Sequence, residues 1–286
     1  MSAPASIVDQ IRHHLVALKM PSAIEQLGEV LRRFEQGQIS PYELVENVLA
    51  AERGLRESRR VKAAVRTARL MTPKTLESFD FSFQPSLDRN RILSLATLSF
   101  IDRREVVHFL GPPGTGKSHL AVALGLEAVK SGRSVLFTTL AEMTTSLARA
   151  EREGRLQERI RFYTRNAMLI IDEIGYLPLQ SGAANLFFQL VNARYERGAM
   201  ILTSNRGFSE WGEIFGDNVV ASALLDRLLH HAIVIQISGN SYRLREHAEL
   251  VPESLRPGAA MKYIQPPSLP KRRGRPPKIR NIDPED

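Results

Sequence analysis

The 286-residue sequence contains no cysteine, which excludes disulfide bonds, thiolate metal sites and cysteine nucleophiles. The lack of cysteine is also typical of proteins in a reducing cytoplasm. No apolar run approaches the roughly 20 residues that span a bilayer, and the first residues lack the apolar core of a secretion signal. The sequence therefore predicts a cytoplasmic protein without a membrane segment.

Acidic residues are nearly absent from two stretches that carry many cations. Residues 53–74 hold eight basic side chains against Glu57 alone, and residues 271–280 hold six with no acid. The local charges are +7 and +6 in a chain whose net charge is +8, so the remainder is acidic. This distribution predicts a polyanionic partner, which we interpret as nucleic acid. Taken singly, each stretch is equally consistent with a solvated helix face or tail.

The cations predicted to contact DNA come from these two stretches. Ser40 and Pro41 predict a helix start, and a following helix carries a basic stripe. The segment KRRGRPPK at 271–278 contains Gly-Arg-Pro flanked by cations and resembles an AT-hook, which enters an A·T-rich minor groove. A basic tail that only contacts phosphates fits equally well. The predicted DNA-contacting residues are Arg59, Lys62, Arg66, Arg69, Arg272, Arg273 and Arg275.

Three regions differ in their hydrophobic pattern. Residues 1–80 predict a small helical domain, 81–250 an α/β domain, and 251–286 a basic, proline-rich, disordered tail. Between the first two, residues 72–90 predict an extended connection. Nearly continuous apolar strands that alternate with helices are typical of a doubly wound parallel sheet. The predicted strands are 106–110, 134–138, 168–172, 200–204 and 233–237, and the predicted helices 117–131, 141–153, 184–197 and 221–231.

A complete phosphate-binding motif, G-x-x-x-x-G-K-[ST], follows the first predicted strand. Its glycines allow the backbone N–H groups to point inward at the start of the next helix, where they bind phosphate. Lys117 is predicted to reach the β- and γ-phosphates and Ser118 to hold Mg²⁺. His119, next to the motif, is interpreted as a packing residue. The predicted nucleotide-contacting residues are Gly111, Pro112, Pro113, Gly114, Thr115, Gly116, Lys117, Ser118 and His119.

Two carboxylates end the strand MLIIDE, at Asp172 and Glu173. Ionised carboxylates at the carboxyl edge of a buried sheet need a partner, and a metal-bound triphosphate supplies one. Asp172 is then predicted to bind Mg²⁺ through water and Glu173 to act as general base. Taken alone, such a pair could also cap a helix. Asn205 ends the next strand and could bind the γ-phosphate or the attacking water, or could simply form a turn.

Several motifs in this order resemble the IstB group of AAA+ ATPases, which are ATP-binding helper proteins encoded by bacterial insertion sequences beside their transposase. The motifs are GPPGTGKSHLA, MLIIDEIGYLPL, LFFQLVNARYERGAMILTSN, FSEW, LLDRLLHH and SYR. The resemblance covers most of residues 10–250. More distantly, the core is similar to the DnaC helicase loaders and to the initiator DnaA.

The resemblance implies roles for individual residues. Lys117 and Ser118 would belong to the Walker A motif, Asp172 and Glu173 to Walker B, and Asn205 to sensor 1. It also implies that Arg227, in LLDRLL, is an arginine finger for a neighbouring subunit and that Arg243, in SYR, is a sensor 2 candidate. The residues alone favour a surface salt bridge for Arg227, and only the resemblance favours the arginine finger.

The function implied by the resemblance is regulation of DNA transposition. Members of the family bind ATP and Mg²⁺, assemble on double-stranded DNA as homo-oligomers, help to choose the insertion site and stimulate the transposase. A ring or helical assembly of a bacterial, nucleoid-associated protein is therefore expected. Two alternatives stay open: a DnaC-like helicase loader in replication, and an architectural DNA-binding protein that uses nucleotide only as a switch.

Overall fold

A computed structural model describes residues 6–70, 74–176 and 182–245 of the chain. Arg272, Arg273, Arg275 and the rest of the predicted tail lie outside the described residues. The DNA-binding role predicted for that tail therefore stays a prediction.

The central sheet has five strands, β1 (Val106–Leu110), β2 (Val135–Thr139), β3 (Met168–Ile174), β4 (Ala199–Ser204) and β5 (Ala232–Gln236). All pairings are parallel, and the strand order is β2-β3-β4-β1-β5. Since β4 lies between β1 and β3, the carboxyl ends of these three strands meet in the middle of one sheet edge. In open parallel sheets, this is the edge where ligands bind.

Helices surround the sheet on both faces and extend before it in the chain. In chain order the described helices are α1 (Ile7–Ala17), α2 (Pro21–Glu35), α3 (Pro41–Thr67), α4 (Arg89–Ala96), α5 (Ser99–Asp102), α6 (Lys117–Lys130), α7 (Leu140–Arg152), α8 (Leu156–Thr164), α9 (Ala183–Arg194), α10 (Trp211–Phe215) and α11 (Asn218–His230). Short 3-10 turns occupy Phe208–Glu210 and Tyr242–Leu244. None of the described helices combines the length and apolar composition needed to cross a bilayer.

Alternating side chains of each strand divide the core into two layers. Val107 of β1 packs with α4 and α6 in one hydrophobic cluster, whereas Val106 packs with α7, α9 and α11 in the other. Ile170 and Ile171 of β3 divide between the two clusters in the same way. This two-sided burial explains the nearly continuous apolar strands. The predicted doubly wound parallel α/β fold is confirmed.

Local bounds follow the predictions closely in the sheet and less closely elsewhere. β1 has the predicted ends, and the other strands differ by two residues at most. α8 was not predicted, because its nine residues carry mostly charged and aromatic side chains. The prediction of two helices between Ser40 and Arg69 was wrong, since the structure has one 27-residue helix, α3. This helix begins with a capping box formed by Ser40 and Glu43.

α3 packs with two different groups of residues along its length. Val48 lies in a cluster with Leu27 and Val30 of α2, whereas Val61 and Val65 pack against the core under the sheet. Just past the helix, Ala68 O accepts a 2.8 Å hydrogen bond from Phe137 N of β2. The helix therefore runs from the N-terminal helices onto the α/β domain. A domain boundary at residue 80 stays a prediction.

The connection predicted to be extended consists instead of successive turns. Within residues 74–88, Phe79 N donates to Leu76 O at 3.3 Å, and Gln84 N donates to Phe81 O at 3.2 Å. The rings of Phe79 and Phe81 meet edge to face with centroids 4.8 Å apart and pack against the core. Because Phe79 and Phe81 pack against the core, the segment folds back onto the α/β domain, and the prediction of an extended connection was wrong.

Candidate nucleotide-binding site

The phosphate-binding loop runs from the end of β1 to the first turn of α6. Gly114 and Gly116 both have positive φ, at 80° and 96°. A Cβ on Gly114 would lie 1.9 Å from Ser241 Oγ, and one on Gly116 would lie 2.5 Å from the Phe79 ring. Glycine is therefore required at both positions by backbone conformation and by close packing. The loop ends at the N-terminus of α6, where backbone N–H groups can bind an anion.

Lys117 is buried at the first position of α6. Its Nζ donates to Pro112 O at 2.7 Å, and Thr115 Oγ1 donates to the same carbonyl at 2.9 Å. Burial lowers the pKa of Lys117 to about 8, against a smaller opposing effect of the Asp172 carboxylate. The loop therefore surrounds the Lys117 ammonium group, which contacts no carboxylate directly among the described residues.

Ser118 and Asp172 are in direct contact. Ser118 Oγ donates to Asp172 Oδ1 at 2.8 Å, and the Thr203 hydroxyl donates to the same carboxylate oxygen. All three side chains come from different elements, α6, β3 and β4, and Asp172 and Thr203 are buried. The hydroxyl and carboxylate oxygens form the hard donor set that suits Mg²⁺.

Thr203 is the site residue that the sequence did not reveal. It precedes the predicted Asn205 by two positions in the LTSN segment, so its strand position was known but its partner was not. Its hydroxyl also accepts a 3.1 Å hydrogen bond from the Glu173 backbone N–H. One side chain of β4 therefore fixes both acidic residues of β3.

Glu173 is exposed next to the buried Asp172. Its φ is +65°, a conformation that costs a non-glycine residue roughly 1–2 kcal/mol. The pairing of β3 with β4 is irregular at this point, between Ile171 and Ile174. The irregular strand end thus separates the two carboxylates, with one buried beside Ser118 and the other open to solvent.

Asn205 follows β4, between the strands that carry the phosphate loop and Asp172. Its Oδ1 is buried, and no donor among the described residues reaches it. A Cβ added to Gly175 would come within 3.0 Å of this oxygen, so the glycine keeps the space beside it open. A buried amide oxygen without a partner calls for an explanation.

Arg243 lies on the segment that covers the phosphate loop. Tyr242 N donates to Gly114 O at 3.0 Å, and the Phe83 and Tyr242 rings meet edge to face. A cavity of about 220 Å³ is bounded by residues 78–80, the phosphate loop and Arg243. The positive charge of Arg243 contributes to the lowered pKa of Lys117. The structure thus brings Arg243 to the loop.

His119 also contacts the connecting segment. Its Nε2 lies 2.9 Å from Thr75 O and 3.3 Å from Ser78 Oγ, and its ring packs edge to face on Phe79. These contacts agree with the packing role that we expected for this side chain.

Arg227 contacts α9 rather than the phosphate loop. Its Nε donates to Asn192 Oδ1 at 2.9 Å, and its guanidinium lies 4.9 Å from the centre of the Phe188 ring. Among the described residues it forms no ion pair, so the simple surface salt bridge is absent there. Within one subunit, the structure does not bring Arg227 to the other predicted site residues.

The predicted basic stripe on α3 is present in part. Arg59, Lys62 and Arg66 are exposed at helical spacing and form no ion pair in the described part of the chain. Placing Arg69 on this helix was wrong. α3 ends at Thr67, and Arg69 follows in a left-handed conformation with φ +61°, which turns the chain away from the helix axis.

A second cationic surface was not recognised in the sequence. It is a groove of about 550 Å³ between α7 and α8, in which Arg159 and Arg165 both lie 4.8 Å from the centre of the Phe162 ring. Glu153 neutralises part of its charge. The arginines that line it are Arg149, Arg155, Arg159, Arg161 and Arg165.

Comparison with known proteins identifies the family. A family model described as IstB-like ATP binding protein matches residues 13–250. The predicted ATP-binding protein of insertion sequence IS5376 from Geobacillus stearothermophilus is 43% identical over 83% of this chain and 95% of its own length. That of IS21 from Pseudomonas aeruginosa is 45% identical over 81% of this chain and 88% of its own length.

Among solved structures, the DnaC helicase loader superimposes with a TM-score of 0.47 at 18% identity, over 59% of this chain and 98% of its own. The assignment rests on the sequence matches, which cover the helical N-terminal region as well as the nucleotide site. The chain therefore belongs to the IstB-like family of insertion-sequence ATP-binding proteins.

Proposed function

We propose that this protein is a Mg²⁺-dependent ATPase that assembles on double-stranded DNA at the bacterial nucleoid, helps to select the insertion site and stimulates the transposase of its element. The observation that carries the ATPase proposal is the 2.8 Å hydrogen bond between Ser118 Oγ and Asp172 Oδ1. It joins the phosphate loop to the acidic end of β3, so one triphosphate can engage both.

The nucleotide is held by groups of the phosphate loop. The backbone N–H groups of this loop and the Lys117 ammonium group bind the phosphates. To do so, Lys117 exchanges its hydrogen bond to the Pro112 carbonyl for bonds to phosphate oxygens. Ser118 and Asp172 would hold Mg²⁺, which neutralises phosphate charge when bound. Thr203 keeps Asp172 oriented, as residues that hydrogen-bond to a metal-binding carboxylate without touching the metal commonly do.

Hydrolysis needs a base and an oriented water molecule. Glu173 is the exposed carboxylate of the pair, so it accepts the proton as the water oxygen attacks the γ-phosphorus and the bond to the ADP oxygen breaks. The unpartnered Asn205 Oδ1 would accept a hydrogen bond from this water. Arg243, close enough to Lys117 to affect its pKa, would add a further cation at the phosphates.

Arg227 would complete the site of a neighbouring subunit. It lies on α11, half-buried against α9, where one neutral hydrogen bond and an aromatic ring hold it. These contacts are weaker than an ion pair with phosphate. Because it reaches another subunit, the contact repeats head to tail and generates a ring or a helix. A guanidinium at the transferring phosphoryl group stabilises the developing charge.

DNA would bind along exposed cations that have no acidic partner. Arg59, Lys62 and Arg66 on α3 meet this condition in the described chain, and the groove between α7 and α8 offers further guanidinium groups. The relatives are named for insertion sequences, which favours a transposase over a replicative helicase as the protein partner.

We expect Glu173→Gln to preserve ATP binding but to lower the hydrolysis rate by about 100-fold or more, since the amide cannot accept the proton. Phosphate release with and without duplex DNA, together with nucleotide binding by calorimetry, measures both quantities. Glu213→Gln, which changes an exposed carboxylate elsewhere, is the matched control and should keep full activity. Unchanged turnover in Glu173→Gln would rule out Glu173 as the base.

Mixing two inactive variants tests whether Arg227 acts between subunits. An Arg227→Ala subunit keeps its phosphate loop and base, and a Glu173→Gln subunit keeps its arginine. Where the two are neighbours in a mixed assembly, the loop and base of the first and the arginine of the second form one intact site. For random head-to-tail assembly at equal amounts, about a quarter of wild-type turnover should return. A mixture that stays inactive, although the variants co-assemble, would contradict a role in trans.

Replacing Arg59, Lys62 and Arg66 by alanine should weaken binding to duplex DNA of any sequence. The slope of log K against log salt concentration should become shallower by up to roughly 3, because each phosphate contact contributes about 0.9. Fluorescence anisotropy over a salt series measures the slope.

The matched control removes three exposed cations from α1 and α2, with Arg12, Arg32 and Arg33 replaced by alanine. It changes net charge equally and should leave most of the slope intact. Equal effects of the two triple variants would show that overall charge, not the α3 surface, determines DNA binding.

A further inference from the structure

Three potential metal ligands meet at the amino end of the sheet, opposite the nucleotide site. Glu196 lies in the turn before β4, His230 ends α11, and His231 lies between α11 and β5. One ligand atom of each residue falls within 4.8 Å of the others, and all three side chains are exposed. Two imidazoles and one carboxylate are a common first coordination sphere for transition metals.

The backbone explains how two consecutive histidines can face the same point. His230 is the last residue of α11, and His231 leaves the helical conformation with φ −125° and ψ 64°. The two rings lie with their centroids 4.1 Å apart, and His231 Nε2 is 3.7 Å from Glu196 Oε1. The end of the helix therefore brings together side chains that a continuous helix would separate by about 100°.

Both segments that carry the ligands are fixed to one short stretch of chain. Arg104 Nη1 donates to Glu196 O at 2.7 Å, and Val106 N donates to His231 O at 2.9 Å. Glu196 has φ +55°, a costly conformation for glutamate that a surrounding structure must hold in place. The backbone positions of Glu196 and His231 are thus fixed by hydrogen bonds within the chain.

Neighbouring groups favour a cation at this point. Tyr195 Oη lies 2.7 Å from His230 Nδ1, and such a contact orients the ring and leaves Nε2 for a metal. The carboxyl end of α11 adds the negative end of the helix dipole. Arg104 binds the backbone carbonyl of Glu196 and not its carboxylate, which lies beside the Tyr195 hydroxyl and His231.

We propose that Glu196, His230 and His231 bind a divalent first-row transition metal, Zn²⁺ in the first instance, at a site separate from the nucleotide. Water completes the coordination, since the three ligands leave positions open. Mg²⁺ prefers oxygen ligands and does not compete at this site. The ion ties the turn between α9 and β4 to the end of α11, which carries Arg227 one helical turn earlier.

Calorimetric titration of the untagged full chain with ZnCl₂, without nucleotide, tests the site. We expect one Zn²⁺ per chain and no displacement by MgCl₂. Glu196→Gln, His230→Gln and His231→Gln should each weaken Zn²⁺ binding by about 10-fold or more. The matched control is the other consecutive pair, His13 and His14, both changed to glutamine; their rings lie 6.2 Å apart, and binding should not change.

Thermal unfolding supplies a second readout that does not depend on ATPase activity. Zn²⁺ should raise the unfolding midpoint of the wild type and of the His13/His14 control, but not that of the variant with all three ligands replaced. Mg·ATP binding by the triple variant reports that it is folded. Absence of Zn²⁺ binding in the wild type, or equal affinity in the wild type and the triple variant, would overturn the proposal.

Discussion

The carboxylate of Asp172 accepts hydrogen bonds from two hydroxyl groups, and the arrangement of the nucleotide site depends on this interaction. Ser118 reaches it from the start of α6 and Thr203 from β4. A buried carboxylate is costly without such partners, so the strand order that places β4 beside β3 is also what makes an acid tolerable there. The fold and the chemistry of the site therefore depend on the same contact.

Sequence reasoning succeeded where the determinants are local. The glycine-rich loop after an apolar strand located Lys117 and Ser118, and β1 has the predicted ends, because burial on both faces produces a continuous apolar run. It failed where contacts between distant segments determine the conformation of the chain or the partner of a side chain. Nothing near Thr203 in the sequence indicates its partner Asp172, and the turns of residues 74–88 form because Phe79 packs over Gly116, 37 positions later.

The same connecting segment links the nucleotide site to the proposed DNA surface. α3 packs on the α/β domain through its last turns. In the segment after it, Phe79 packs on Gly116 of the phosphate loop, and Thr75 and Phe79 contact His119 at the start of α6. At the other end of the sheet, α11 joins Arg227 to the histidine pair. The residues proposed to bind phosphate, a neighbouring subunit and DNA thus lie on elements that pack against one sheet.

The most direct measurement is the Mg²⁺ dependence of ATP hydrolysis in Thr203→Val. Valine keeps the branched shape but removes the hydroxyl that orients Asp172. Thr138→Val makes the same change in a buried threonine of β2, whose hydroxyl donates to Thr139 O and Glu142 Oε2 and not to Asp172. The account predicts that Thr203→Val needs about 10- to 100-fold more Mg²⁺ or loses that much activity, and that Thr138→Val does not. Wild-type Mg²⁺ dependence in a folded Thr203→Val protein would contradict it.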